Sequence, residues 1–97
     1  MKNIDKSIRI PTAVVKTSDM SPELEEEVLQ KAYEAIELFN SDIQIAKFMT
    51  RHFQEKFKNS TWHCVVGRKF ASFLTHEAHY CIYFYVGPKA FLLFKSS

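Results

Sequence analysis

Apolar positions along this chain fall into two regimes. From Leu24 to Phe57 they recur every third or fourth residue, and beyond Thr61 they crowd together or alternate. Leu24, Val28, Ala32, Ile36 and Phe39 share one face at helical spacing. Ser21-Pro22-Glu23 opens that segment. Ser21 can cap free amides, and Pro22 suits the first helical position because its missing N–H would be unpaired there anyway. Glu23, Glu25, Glu26 and Glu27 put negative charge at the positive end of the helix dipole and read as a solvated first turn. Asn40-Ser41-Asp42 breaks the pattern and can cap a second helix. There Ile45, Met49, Phe53 and Phe57 return every fourth residue, with Phe48 and His52 beside them. Gln44, Lys47, Arg51, Gln54, Glu55 and Lys58 take the opposite side, and the helix is expected to end near Lys58-Asn59-Ser60.

The stretch from Thr61 to Phe94 is dense in aromatic and β-branched residues, which suit a pleated surface. Gly67-Arg68-Lys69, His76–His79 and Gly87-Pro88-Lys89 read as turns. They separate four expected strands: Trp62–Val66, Phe70–Thr75, Tyr80–Val86 and Ala90–Lys95. A further short strand is expected at Ala13–Thr17, followed by a turn at Ser18-Asp19. The fold class is therefore α+β, two helices followed by an antiparallel set of strands. Tyr80 to Val86 runs without a polar break, whereas an antiparallel strand with one wet face normally alternates. Both faces of this strand call for cover. Helices of the same chain can supply one; a second copy of the chain or a bound segment can supply the other. A central strand in a monomer core is the plain alternative.

Composition narrows the function classes. The 97 residues fit one domain, small enough that association would help its stability. Residues 1–12 are expected to form a flexible N-terminal extension and residues 13–97 the domain. A formal net charge of +2 lacks the concentrated basic field of a nucleic-acid binder. Aromatic strands could stack bases, but Arg68, Lys69, Lys89 and Lys95 are few and sit mainly in turns. No long apolar run suits a membrane span, and Met1–Lys6 lacks the apolar centre of a signal peptide. Cys64 and Cys81 lie in expected strands, outside any Cys-x-x-Cys motif, and read as small reduced hydrophobes.

Catalytic signals are weak. His76-Glu77-Ala78-His79 has its histidines three apart in an expected turn, not four apart on a helix, so no metal site is expected. His63 and Cys64 are neighbours on a strand and point to opposite faces, which separates a thiol from its base. No phosphate loop or nucleophile elbow is present, and neither an enzymatic activity nor a cofactor is expected. A strand edge beside an apolar trough can instead accept an extended peptide as an added strand. Each main-chain bond then nets only about 0.5–1.5 kcal/mol, so two linked grooves would be needed for tight capture.

The segments Thr61–Arg68 with Phe70, Thr75-His76-Glu77, Ile82–Gly87 and Leu92–Ser96 closely resemble the small light chain of cytoplasmic dynein, the dimeric hub class. Asp19-Met20-Ser21, Phe39-Asn40, Asp42, Ile45-Ala46 and Phe53 also match, so the likeness runs from about Val14 to Ser96. The resemblance implies two N-terminal helices packed on an antiparallel sheet, in a homodimer with a strand exchanged between protomers. The exchanged strand would be Phe70–Thr75, and its free edge would take a partner peptide at the dimer interface. The implied partners are dynein intermediate chain and other proteins with extended Thr-Gln-Thr-like motifs. The implied setting is the cytoplasm and a microtubule-associated motor complex. A motor-independent dimerisation hub and a sheet-based nucleic-acid binder remain as alternatives.

Site residues carry over by position. Phe70, Ser72 and Thr75, with Ala71, Phe73 and Leu74 on the same strand, would line the groove. His76 would be a polar contact, Tyr83 and Tyr85 aromatic walls, and Ala90 and Leu92 the contribution of the last strand. Asp42 stands for a family glutamate at the second helix start, where a peptide glutamine can cap amides. Phe73 lacks the hydroxyl of a family tyrosine. Ile43 stands where lysine is usual, Ala71 replaces a glycine and Cys81 a phenylalanine. His63 and Ser96, with Phe70, Ser72 and Thr75, would lie at the dimer interface. Protonation of His63 or phosphorylation of Ser96 would there oppose pairing.

Overall fold

The computed structural model describes residues 12–68 and 79–96. In chain order they form β1 (Ala13–Ser18), α1 (Pro22–Leu38), α2 (Asp42–Lys56), β2 (Thr61–Arg68), β3 (His79–Val86) and β4 (Lys89–Ser96). The strands make one antiparallel sheet in the order β1-β3-β4-β2, with both helices packed on one face.

Both helices start as the sequence requires. The Ser21 hydroxyl accepts the Leu24 amide at 3.2 Å with Pro22 in the first turn, and the Ser41 hydroxyl accepts the Gln44 amide at 3.4 Å. On α2, Ile45, Met49 and Phe53 are fully buried, as the fourfold repeat demands. On α1 the buried stripe is Val28, Ala32 and Ala35. Ala35 replaces Ile36 at the centre of that face, and two alanines let the helix approach its neighbours closely; Leu24, Ile36 and Phe39 pack at its margin. Sheet residues Trp62, Ile82, Phe84, Val86, Phe91 and Leu93 complete this core. Burial of each such large side chain is worth about 1.5–3 kcal/mol, and Phe84 and Phe91 stack with centroids 4.9 Å apart.

Parts of two expected turns are strand instead, the rest of both lying outside the described residues. Gly67 and Arg68 continue β2 by pairing with Ala90 and Lys89, because β4 runs right up to its own turn and offers them partners. His79 likewise belongs to β3, opposite Lys95. The β3–β4 turn narrows to Gly87-Pro88, with Gly87 at φ 60°, a left-handed value that glycine adopts without steric cost. Tyr80 also takes a positive φ, 50°, where the β3–β4 register slips between His79 and Ile82. Asp19 fastens this bend: its amide donates to the Cys81 carbonyl at 3.0 Å, and its carboxylate accepts the Cys81 amide at 2.5 Å. The expected strand Phe70–Thr75 lies outside the described residues.

Candidate functional site

The site is built where α2 passes over the last strand of the sheet. Trp62 fixes that junction. Its ring sits 5.5 Å from Phe53 and stacks on Phe57 at 5.4 Å, and its amide donates to the Gln54 Oε1 at 3.0 Å. The Gln54 amide group donates in turn to the Ser60 carbonyl. One polar side chain on the outer side of α2 therefore ties the end of the helix to the start of β2. The Trp62 Nε1 is buried with no partner among the described residues.

β2 pairs with β4 on one side over all eight residues, Thr61–Ser96 through Arg68–Lys89, without a break. Among the described residues, no strand pairs with its other edge. A groove of about 730 Å³ lies beside it, lined by Ile43, Ala46, Lys47, Thr50, Arg51, Gln54 and Glu55 of α2 and by Cys64 of β2. Hydrophobic patterning alone misses this lining, since it assigns Lys47, Arg51, Gln54 and Glu55 to a solvated face. Their recurrence at successive steps of three and four residues along the helix from Ile43 was the available signal.

The face of the sheet away from the helices is also apolar. Tyr83, Ala90 and Leu92 are buried in a second cluster, with Tyr85 and Phe94 packed against it. Four expected groove residues are thereby brought together. Tyr83 and Tyr85 meet edge to face at 5.6 Å, and the Lys16 ammonium lies 5.6 Å from the centre of the Tyr85 ring. The two expected interface residues in the described region also meet. The His63 Nε2 is 2.9 Å from the Ser96 hydroxyl, and the His63 ring stacks on Phe94 at 5.0 Å. Phe94 is a neighbour that the sequence reading did not single out.

Asp42 stands apart from this cluster, in the first turn of α2. Ser41 is the cap, and the Asp42 carboxylate accepts the Lys89 ammonium at 2.6 Å. Cys81 is buried beside Asp19, at the start of β3. Phe70, Ala71, Ser72, Phe73, Leu74, Thr75 and His76 lie outside the described residues.

Titration chemistry is muted. Burial pushes the Cys64 thiol up to about 12, so it stays protonated, and His63 lies on the other face of its strand; the two form no thiolate–base pair. Burial, helped by the Asp19 charge, also raises the Cys81 thiol. Among the described residues, no group of three His, Cys, Asp or Glu side chains could hold a metal. No described helix is long and apolar enough to cross a membrane.

Over residues 12–96 the chain matches the family model described as dynein light chain type 1. Among solved structures, the dynein light chain-like domain of the Fasciola hepatica calcium binding protein FhCaBP2 is similar with a TM-score of 0.78. That match has 20% identity and covers 90% of this chain and 93% of that one. The DLC-like domain of CsTAL3 gives a TM-score of 0.67 at 14% identity, covering 84% and 88%. At such identities the likeness of these structures speaks to the fold alone.

Proposed function

This chain belongs to the dynein light chain family, and from that premise we propose that it is a non-catalytic homodimeric adaptor that takes short extended segments by strand addition. The observation that carries the reading is the combination at β2: a straight eight-residue edge with no partner among the described residues, beside a groove of about 730 Å³ under α2. Strand Phe70–Thr75 of a partner copy would pair along that edge. Its own free edge, flanked by Ala71, Phe73, Leu74 and His76, would then receive the guest peptide. The second apolar face, with Tyr83, Tyr85, Ala90 and Leu92, would back the exchanged strand and close the dimer. His63 and Ser96 would meet their symmetry mates there. Two identical grooves favour a dimeric guest by avidity.

The guests proposed are dynein intermediate chain and other proteins with Thr-Gln-Thr-like segments, in the cytoplasm and within a microtubule-based motor complex. A motor-independent hub is the second reading. It is favoured by Ile43, which is 68% exposed at the groove where the family pattern has lysine. Residues 1–12 would act as an extension outside the domain.

Titration with a Thr-Gln-Thr peptide, followed by backbone NMR with mass measured in parallel, tests the proposal. The expected result is one peptide per chain on a dimer, with shifts along Phe70–Thr75 and along α2 from Ile43 to Glu55. A dimer whose spectrum does not respond would retire the family peptide preference, and a monomer without response would retire the adaptor reading.

A further inference from the structure

The outer surface of α2 borders two hollows. One is the groove along β2. The other, where α1 ends, is a smaller cavity of about 190 Å³ lined by Phe39, Gln44, Lys47, Phe48 and Arg51. Lys47 and Arg51 belong to both linings and form the ridge between them. The walls of the smaller cavity are aromatic. The Phe39 and Phe48 rings lie 5.9 Å apart at 57°, and both pack on the core from its margin. The end of α1 puts Phe39 there: its amide closes the last turn on the Ala35 carbonyl at 2.9 Å while its own backbone turns extended. The rim is cationic. Lys47 and Arg51 are exposed, one helical turn apart, and neither makes an ion pair among the described residues. The helices' other lysines, Lys31 and Lys56, each reach a glutamate, at 3.3 and 2.9 Å. Like charges four residues apart work against a helix, so the unpaired pair is no aid to α2 itself. Leu38, next to Phe39, is 63% exposed and extends the apolar surface.

We propose that this cavity is a second docking site, for an acidic protein segment that seats one aromatic side chain against Phe39 and Phe48 and pairs its carboxylates with Lys47 and Arg51. Size decides the kind of occupant. Small-molecule sites span about 300–1,000 Å³, whereas this cavity admits one large side chain and leaves the remainder of its partner on the surface. The wall chemistry favours a ring, because aromatic rings attract one another in offset or edge-to-face arrangements at centroid separations of about 4.5–7 Å. Charge decides what flanks that ring. Two cations without a carboxylate partner complement an acidic segment and repel a basic one. Gln44 adds an exposed carboxamide that can both donate to and accept from the backbone of the segment. None of the lining residues lies on a strand, so the site does not depend on strand addition. It would let one chain hold a groove guest and a second partner on the two flanks of α2.

The test titrates the full chain with three end-capped synthetic peptides, Glu-Glu-Phe-Glu-Glu, Glu-Glu-Ala-Glu-Glu and Lys-Lys-Phe-Lys-Lys, followed by backbone NMR. The first is expected to bind saturably, to shift the amides of Phe39, Gln44 and Phe48, and to weaken as salt is raised. The alanine peptide is expected to bind about tenfold more weakly, and the lysine peptide not at all. Lys47→Glu combined with Arg51→Glu, at two exposed positions, is expected to weaken the first peptide by about tenfold or more. Gln44→Glu adds a carboxylate at the rim outside the groove lining. It is expected to weaken the first peptide about threefold, and it serves as the second test should the double variant unfold. Equal responses to the acidic and basic peptides, or shifts confined to Ala46, Thr50, Gln54 and Cys64 on the groove side, would overturn the proposal. Shifts at Phe39 and Phe48 that grow with protein concentration alone would also overturn it, by giving the surface to a second copy. Sedimentation with phosphatidylserine vesicles, without any response to the peptides, would overturn it in favour of a membrane surface.

Discussion

Among the described residues, the sheet ends in two edges of opposite design. β1 is six residues long and breaks its register between Val15 and Thr17, so Lys16 is an extra residue that bulges from the ladder. Its side chains are mostly exposed, Val14 at 47% and Val15 at 38%. A bulge and a lysine are the devices by which natural edges resist unwanted pairing. β2 has neither: it runs straight for eight residues, with α2 packed over it. Among the described residues, one edge is blunted by a bulge and the other runs straight beside a groove, which would give the proposed strand addition a direction. A fold that merely tolerated edges would have no reason to treat them differently.

The contrast breaks most severely at the anchor of the open edge. Trp62 is 2% exposed between Phe53 and Phe57, and its loss would leave a cavity under α2. Trp62→Ala is expected to cost about 3–5 kcal/mol in urea unfolding. Val14→Ala, on the shut edge, is expected to stay within about 0.5 kcal/mol. Comparable losses at the two positions would mean that the edges are held alike.

Much of this layout was legible in the sequence, because local chemistry determines it. Ser21-Pro22 and Ser41 announce the helix starts, and Gly87-Pro88 announces the hairpin, since only a few residue types satisfy those backbone positions. The features that distinguish the two edges were not legible. A bulge at Lys16 depends on how β1 aligns with a strand more than sixty residues away. Gly67-Arg68 read as a turn until β4 offered partners. Gln54 read as a solvent residue, yet both ends of its amide are used. The Lys89–Asp42 pair joins residues that no spacing rule connects. The described half of the expected site shows the same division. Tyr83, Tyr85, Ala90 and Leu92 gather because strand alternation puts them on one face, whereas Asp42 is placed by the packing of a helix.

A smaller effect comes from the far side of α2. Glu27 of α1 accepts the His52 Nε2 at 2.7 Å and the Lys56 ammonium at 2.9 Å, binding α1 to the helix that covers the open edge. These hydrogen bonds, from His52 first and then Lys56, hold the Glu27 carboxyl below its ordinary range. A carboxyl with a depressed folded-state pKa contributes stability above its unfolded value and loses that contribution as pH falls through the folded value. Stability of the wild type should therefore fall more steeply than that of Glu27→Gln between about pH 5 and pH 3. Lys56 is partly solvated, so the difference at neutral pH should be below about 1 kcal/mol. Parallel pH profiles for the two proteins would detach Glu27 from the support of α2.

The finest test acts on the shut edge itself. Deleting Lys16 removes the extra residue and lets Thr17 follow Val15, so that Tyr83 and Phe84 find consecutive partners. Little buried surface changes, because Lys16 is exposed, and folding stability should move by no more than about 0.5 kcal/mol. What changes is the outer edge, which becomes flat, uncharged and flanked by Val14 and Val15. Such an edge is a template for another chain. Sedimentation of the deletion variant should show association that grows with concentration beyond the assembly state of the wild type, with the groove-binding affinity unaltered. Lys16→Val, which keeps the bulge and removes the charge, separates the two devices. If that variant associates as strongly as the deletion, charge alone guards β1. If only the deletion associates, the guard is the bulge, and the direction of strand addition is built into the backbone of the fold.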